Sequence, residues 1–195
     1  MNKEIQSFLK QLEEHGQTHD AQEPEHSRKL LNLEPGTAEI VSILACSSRA
    51  KHVLEIGTSN GYSTIWLAAS VGPAGGRIVS IERSREKWTM AHDNLSQTGL
   101  LQFVSLQLGD ATEIVKRLPG PFDFVFFDAD RTSAPDQLIH ILPKLAPPAL
   151  ILADNVFSHP TEIADYLAMV KSLEQVRHVL IPVGKGLSVA LFASR

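Results

Sequence analysis

His52-Val53-Leu54-Glu55-Ile56-Gly57-Thr58-Ser59-Asn60-Gly61-Tyr62-Ser63 is the stretch that decides the fold. An apolar run of strand type carries one acid and meets a glycine-bearing turn. It then passes at once into the helix-like Thr64-Ile65-Trp66-Leu67-Ala68-Ala69. Strand, loop and helix in that order open a nucleotide-binding α/β domain, where backbone N–H groups at the helix N-terminus face the ligand. A dinucleotide site spaces its glycines G-x-G-x-x-G so that the backbone can approach a pyrophosphate. This chain has E-x-G-x-x-x-G, with Thr58 in the place of the second glycine. An acid at Glu55 repels a pyrophosphate but suits a ligand bearing an ammonium and a sulfonium. The pattern therefore points to S-adenosylmethionine and away from NAD.

Outward from this stretch, apolar runs recur with helical stretches between them, the βαβ signature of a mainly parallel sheet. Candidate strands cover 52–56, 77–82, 102–108, 122–128 and 149–154. Two more, 175–182 and 187–192, flank Gly184-Lys185-Gly186 and read as a hairpin, so an antiparallel strand closes the sheet. Helices fit 37–48, 62–70, 84–98, 111–117, 134–142 and 161–173, and a separate N-terminal helix fits 2–15. The polar, acid- and His-rich stretch 16–27 reads as a mobile lid. His15 and His19 have helical spacing, but Gly16 is expected to interrupt any helix there, which argues against a zinc pair. Trp66 is expected in the core, and Trp88 in the core or beside an adenine.

A length of 195 residues suits one domain, 1–195, with 1–32 as its N-terminal helix and lid. Apolar and charged contents of 43% and 21% are those of an ordinary globular protein, and a net charge of −4 offers no basic footprint for nucleic acid. One cysteine, Cys46, excludes an internal disulfide and reads as a buried thiol in a reducing compartment. The first residues are charged and amphipathic, unlike a signal peptide, and no apolar run reaches membrane-spanning length. The expectation is a cytoplasmic protein with no membrane or nucleic-acid partner.

In open α/β sheets the ligand sits beyond the carboxyl ends of the strands, so the residues at those ends are the informative ones. The first strand leads from Glu55 to Gly57, and the second ends in Glu82, where a carboxylate can accept both hydroxyl protons of a ribose. The third leads to Asp110 and Ala111, where Asp110 can equally cap the next helix. The fourth ends Asp128-Ala129-Asp130 and the fifth Asp154-Asn155. Asp128 and Asp154 each follow a strand apolar enough to be buried on both faces, and a carboxylate at such an exit needs a partner. If the two strands are neighbours, Asp128, Asp154 and Asn155 crowd together, which like charges tolerate only when protonated or bridged by a cation. Three oxygen donors suit Mg²⁺, or another divalent cation such as Ca²⁺ or Mn²⁺.

In order along the chain, VLEIGTSNGYS, IVSIE, GDA, FDFVFFDAD and ILADNV resemble the class I S-adenosylmethionine-dependent methyltransferases. In particular they are similar to the cation-dependent O-methyltransferases of the caffeoyl-CoA and catechol type, over about residues 33–191. The resemblance implies a Rossmann-like fold: a seven-stranded, mostly parallel sheet with an antiparallel last strand and helices on both faces. It implies cofactor contacts from Leu33, Glu55, Gly57, Thr58, Gly61, Ser63, Glu82, Asp110, Ala111, Asp128 and Asp130, and metal ligation by Asp128, Asp154 and Asn155. The implied reaction is methyl transfer to a hydroxyl of a small vicinal dihydroxy aromatic, by a homodimer.

The chain also departs from that family. Arg131 stands where a lysine credited as general base is usual, and a guanidinium cannot take a proton at neutral pH. Arg131 is left to stabilise the phenolate or pair with Asp130, alongside Asp128 in the catalytic set. His159, four residues past Asn155, becomes a base candidate. Alternative readings are a metal-independent small-molecule methyltransferase, or a cofactor-binding domain that has lost catalysis.

Overall fold

The computed structural model of the protein describes residues 1–193. Its sheet is assembled from β1 (His52–Ile56), β2 (Arg77–Glu82), β3 (Val104–Leu108), β4 (Phe122–Phe127), β5 (Leu145–Ala153), β6 (Val176–Ile181) and β7 (Leu187–Phe192). The spatial order is β3-β2-β1-β4-β5-β7-β6. All neighbouring pairs are parallel except those made by β7, which runs antiparallel to both β5 and β6. The architecture is the Rossmann-like one, and the point where strand order reverses lies between β1 and β4.

Strand alternation divides the core into two layers. Val53 of β1 and Phe124 and Phe126 of β4 point to one face, where they pack with Val41, Ala45, Ile65 and Leu67. Those residues come from α2 (Pro35–Ser47) and α3 (Tyr62–Val71), and Leu9 and Leu12 of α1 (Lys3–Gln22) join the same cluster. Leu54, Ile56, Val125 and Phe127 point to the other face, against Ile114, Leu138, Ile141 and Val170. Their partners come from α5 (Ala111–Arg117), α6 (Ala134–Ile141) and α7 (Ala164–Ser172), while α4 (Arg85–Gln97) flanks β2 and β3. Because β1 and β4 are covered on both sides, the acids that follow β4, Asp128 and Asp130, emerge at the sheet's carboxyl edge.

Several expectations are corrected. Gly16 does not interrupt a helix: α1 continues to Gln22, and Gly16 is buried at a contact where a Cβ would stand 2.5 Å from the Asn32 amide. The lid expected at 16–27 is therefore half helix, and only the residues after Gln22 form a strap. Cys46 is exposed, because Thr37, Ala38, Val41 and Ala45 define the buried face of α2 and Cys46 lies one residue round from it. The third strand begins at Val104 after a 3₁₀ turn, Leu101–Phe103, and the last helix begins at Ala164 rather than 161. Among the described residues, no helix is long and apolar enough to cross a membrane.

Candidate active site

The loop after β1 is set by backbone geometry. Gly57 has φ +104°, and a Cβ there would lie 2.2 Å from the Asp128 carbonyl oxygen, so only glycine lets β1 and β4 close up at this point. The Gly57 and Thr58 N–H groups both donate to Ile81 O, at 3.0 and 3.2 Å, pinning the loop to β2. Gly61, φ +88°, caps α3 with its backbone packed on Ala91. Trp66 is half-buried against the inner layer. Trp88 does not reach the site but stacks on His92, ring centroids 5.6 Å apart.

Glu55 is the largest departure from the expected roles. Its side chain is 0% exposed and does not line the cavity. It accepts hydrogen bonds from the hydroxyls of Ser63, Thr64 and Ser80. Burial pushes its carboxyl above the ordinary range despite those three donors. The acid thus holds the first turn of α3 against β2, and reaches the cavity through Ser63 rather than by facing a cationic ligand.

A cavity of about 480 Å³ opens along the carboxyl edge of the sheet. Its floor brings together Gly57, Thr58, Ser63, Glu82, Asp110, Ala111, Asp128 and Asp130. Glu82 is 8% exposed, and its two oxygens accept the Ser59 and Ser84 N–H groups, each at 2.8 Å. That leaves lone pairs directed at the cavity from an acid that cannot swing away. Asp110 caps α5, taking the Glu113 N–H at 3.0 Å. Asp130 does not pair with Arg131. Burial acts to raise its carboxyl, but the Ser133 hydroxyl, the hydroxyl and N–H of Thr132 and the Arg83 charge outweigh it and hold the group below the ordinary range. Arg131 turns instead to Glu162, Nε to Oε2 at 3.0 Å.

The roof, which sequence reasoning recognised only at Leu33, is the strap between α1 and α2. Leu30, Leu31 and Asn32 join Leu33 over the cavity. Asp20 takes the Leu30 and Leu31 N–H groups at 2.7 and 2.8 Å, at the point where Leu31 adopts φ +50°. Ser59 Oγ donates to Leu30 O, and Lys87 Nζ to Lys29 O. No sequence period marks such a strap, since its contacts are made by backbone carbonyls and amides.

At the far end, parallel pairing of β4 with β5 sets Asp128 beside Asp154. The Asn155 amide lies 3.2 Å from Asp128 Oδ1, with Asn155 at φ +67°. Burial, and then the Asp154 charge, push the Asp128 carboxyl well up. Burial pushes Asp154 up to about 6, although the Asn155 N–H donates to it. Asp154 Oδ1 is buried with no hydrogen-bond partner among the described residues. Such an oxygen is costly unless a proton or cation answers it. Among the described residues no group of three or more His, Cys, Asp or Glu has ligating geometry, so the donor set is two carboxylates and one amide. Those hard oxygen donors fit Mg²⁺ or Ca²⁺ once the Asn155 amide turns its oxygen inward. His159 also lines this end, with Nδ1 2.8 Å from Ser158 Oγ, as do Glu34 and Lys185, an ion pair at 3.1 Å that sequence reasoning did not select.

Comparison with known proteins places this geometry. Residues 4–192 match the model of a family described as O-methyltransferase. Catechol O-methyltransferases from Niastella koreensis and Mycobacterium tuberculosis are 35% and 37% identical, over 65% and 60% of this chain. The matches span only 58% and 54% of those two proteins. The solved structure of an O-methyltransferase from Bacillus cereus in complex with SAH is 26% identical and has a TM-score of 0.80. It covers 95% of this chain and 90% of that one. The O-methyltransferase TomG from Streptomyces achromogenes, in complex with SAM, is also 26% identical, with a TM-score of 0.79 and coverage of 100% and 91%. With the match running over almost its whole length, the chain belongs to the O-methyltransferase family.

Proposed function

We propose that this protein transfers the methyl group of S-adenosylmethionine to one hydroxyl of a small vicinal dihydroxy aromatic, assisted by a divalent cation. The observation that carries the reading is the convergence of Asp128, Asp154 and Asn155 at one end of a cavity whose other end presents Glu82 and the Gly57–Ser63 loop. Support also comes from the two relatives named as catechol O-methyltransferases.

A catechol hydroxyl has a pKa of about 10 and is mostly protonated at neutral pH. When bound, the cation supplies Lewis acidity that lowers this value, and a shift of about 3 units is worth about 4 kcal/mol. Asp128, Asp154 and the Asn155 amide oxygen would hold it. Glu82 orients the ribose, and the loop from Gly57 to Ser63, locked from below by Glu55, fixes the methyl-bearing end of the donor. The strap from Leu30 to Leu33 keeps water off both reactants. Holding oxygen and methyl carbon in line is what these residues contribute to rate. The acceptor oxygen gains the methyl, the sulfonium leaves as a thioether, and the phenolic proton is released towards water or His159.

Incubation with S-adenosylmethionine, Mg²⁺ and a panel of catechols, followed by mass spectrometry, tests the proposal. A monomethylated product is expected from vicinal diphenols and not from the corresponding monophenols. Equal methylation of both classes would remove the chelating role of the site.

A further inference from the structure

Two cations at the acceptor end of the cavity have donors to spare. Arg131, its side chain 21% exposed, uses Nε on Glu162, and its two terminal amino groups make no hydrogen bond among the described residues. Lys185 stands at the tip of the β6–β7 hairpin, between two glycines that both have positive φ. The tip is fixed, because the Phe157 N–H donates to Lys185 O at 2.9 Å and the Val156 N–H to Gly186 O at 3.1 Å. A Cβ on Gly184 would meet Glu34 and Thr37, so the strap-side partner of Lys185 is packed directly on the hairpin. Both cations line the same cavity as Asp154.

Neither cation is locked to its partner by strong energetics. Each pair has one well-exposed partner, Glu162 at 46% and Lys185 at 47%, and ion pairs that reach solvent contribute only about 0–1 kcal/mol. An incoming carboxylate need not displace either glutamate, because the Lys185 ammonium has three donors and the terminal amino groups of Arg131 are free to receive it. The guanidinium fork matches a planar carboxylate in two-point fashion, and a neighbouring ammonium adds a second positive charge. With Asp128 and Asp154 answered by a dication, the negative groups left at this end are Glu34 and Glu162, each already paired with a cation, and Asp130, whose oxygens accept from Thr132 and Ser133.

We propose that the natural acceptor is a vicinal diphenol bearing a carboxylate, which Arg131 and Lys185 receive at the cavity mouth. This inference rests on the catechol reading above, and the experiment separates the two. Binding of 3,4-dihydroxybenzoate, catechol and dopamine to the SAH-loaded protein with Mg²⁺ is measured by calorimetry, and their methylation is followed in parallel. The acid is expected to bind at least tenfold more tightly than the amine. Lys185→Glu is expected to cut that ratio at least tenfold, and Arg131→Gln to reduce it independently, so one misfolded variant leaves the other to report. A wild-type ratio under tenfold, or a ratio unchanged in the folded variants, overturns the inference. Methylation of catechol itself with no charge preference leaves the diphenol reading standing alone. Failure to methylate any diphenol, with the binding preference intact, sinks the diphenol reading instead.

Discussion

The side-chain amide of Asn155 donates to Asp128 Oδ1 at 3.2 Å, across the ends of two neighbouring parallel strands. One buried carboxylate is thereby answered by a neutral donor, while Asp154 Oδ1 beside it has none among the described residues. The three side chains form a site short of positive charge. A dication would replace the amide's single N–H contact with oxygen ligation from all three, which is why the proposal places it there.

This arrangement makes stability depend on pH in an unusual direction. Asp154 is pushed up to about 6 from an ordinary 3.8, and Asp128 is raised as well. Between the unfolded and folded values the native state binds more protons than the unfolded chain, so stability falls as pH rises through that window. For Asp154 alone the effect is up to ~3 kcal/mol. Chelator-treated protein is expected to melt at a higher temperature at pH 5.5 than at pH 7.5, and Asp154→Asn to shrink the difference. Mg²⁺ should raise the melting temperature more at pH 7.5 than at pH 5.5, because it competes with those protons.

Gly57→Ala tests the close approach of β1 and β4. The added Cβ would overlap the Asp128 carbonyl at 2.2 Å and sit at φ +104°. A loss of about 3 kcal/mol is expected, read as a fall of about 6–12 °C in melting temperature. An unchanged melting curve would mean that the strand ends are further apart than described.

Glu82→Ala removes the acid that the Ser59 and Ser84 N–H groups hold in place. Hydrogen bonds to a charged acceptor are worth about 1.5–3 kcal/mol, so SAH affinity measured by calorimetry should fall by roughly 10- to 150-fold. A change below threefold would take the ribose away from this residue.

Asp20→Ala tests the strap. Losing the caps on the Leu30 and Leu31 N–H groups should speed amide exchange over residues 26–34 and weaken SAH about tenfold, with α1 otherwise protected. Exchange confined to other segments would show that the strap is held by different contacts.

Much of the frame was legible from the sequence because the strands that build it are buried on both faces. Apolar runs such as Phe122–Phe127 leave little choice of structure, and the acids at their ends follow from topology. The helix boundary at Gly16 was misread because glycine serves there as a packing residue against Asn32, a tertiary cause that local propensity does not contain. Glu55 was given the wrong surroundings for a similar reason. Its three hydroxyl partners come from α3 and β2, and only the fold reveals that they enclose it. The Glu34–Lys185 pair joins residues about 150 positions apart and leaves no periodic trace.

The central claim is that a divalent cation held by Asp128, Asp154 and Asn155 activates the acceptor. Methyl transfer to 3,4-dihydroxybenzoate, assayed in EDTA and again after excess Mg²⁺, measures it most directly. The account predicts a loss of at least 100-fold in chelator, full recovery with Mg²⁺, and no recovery in Asp154→Ala. Turnover that persists undiminished in EDTA would contradict it.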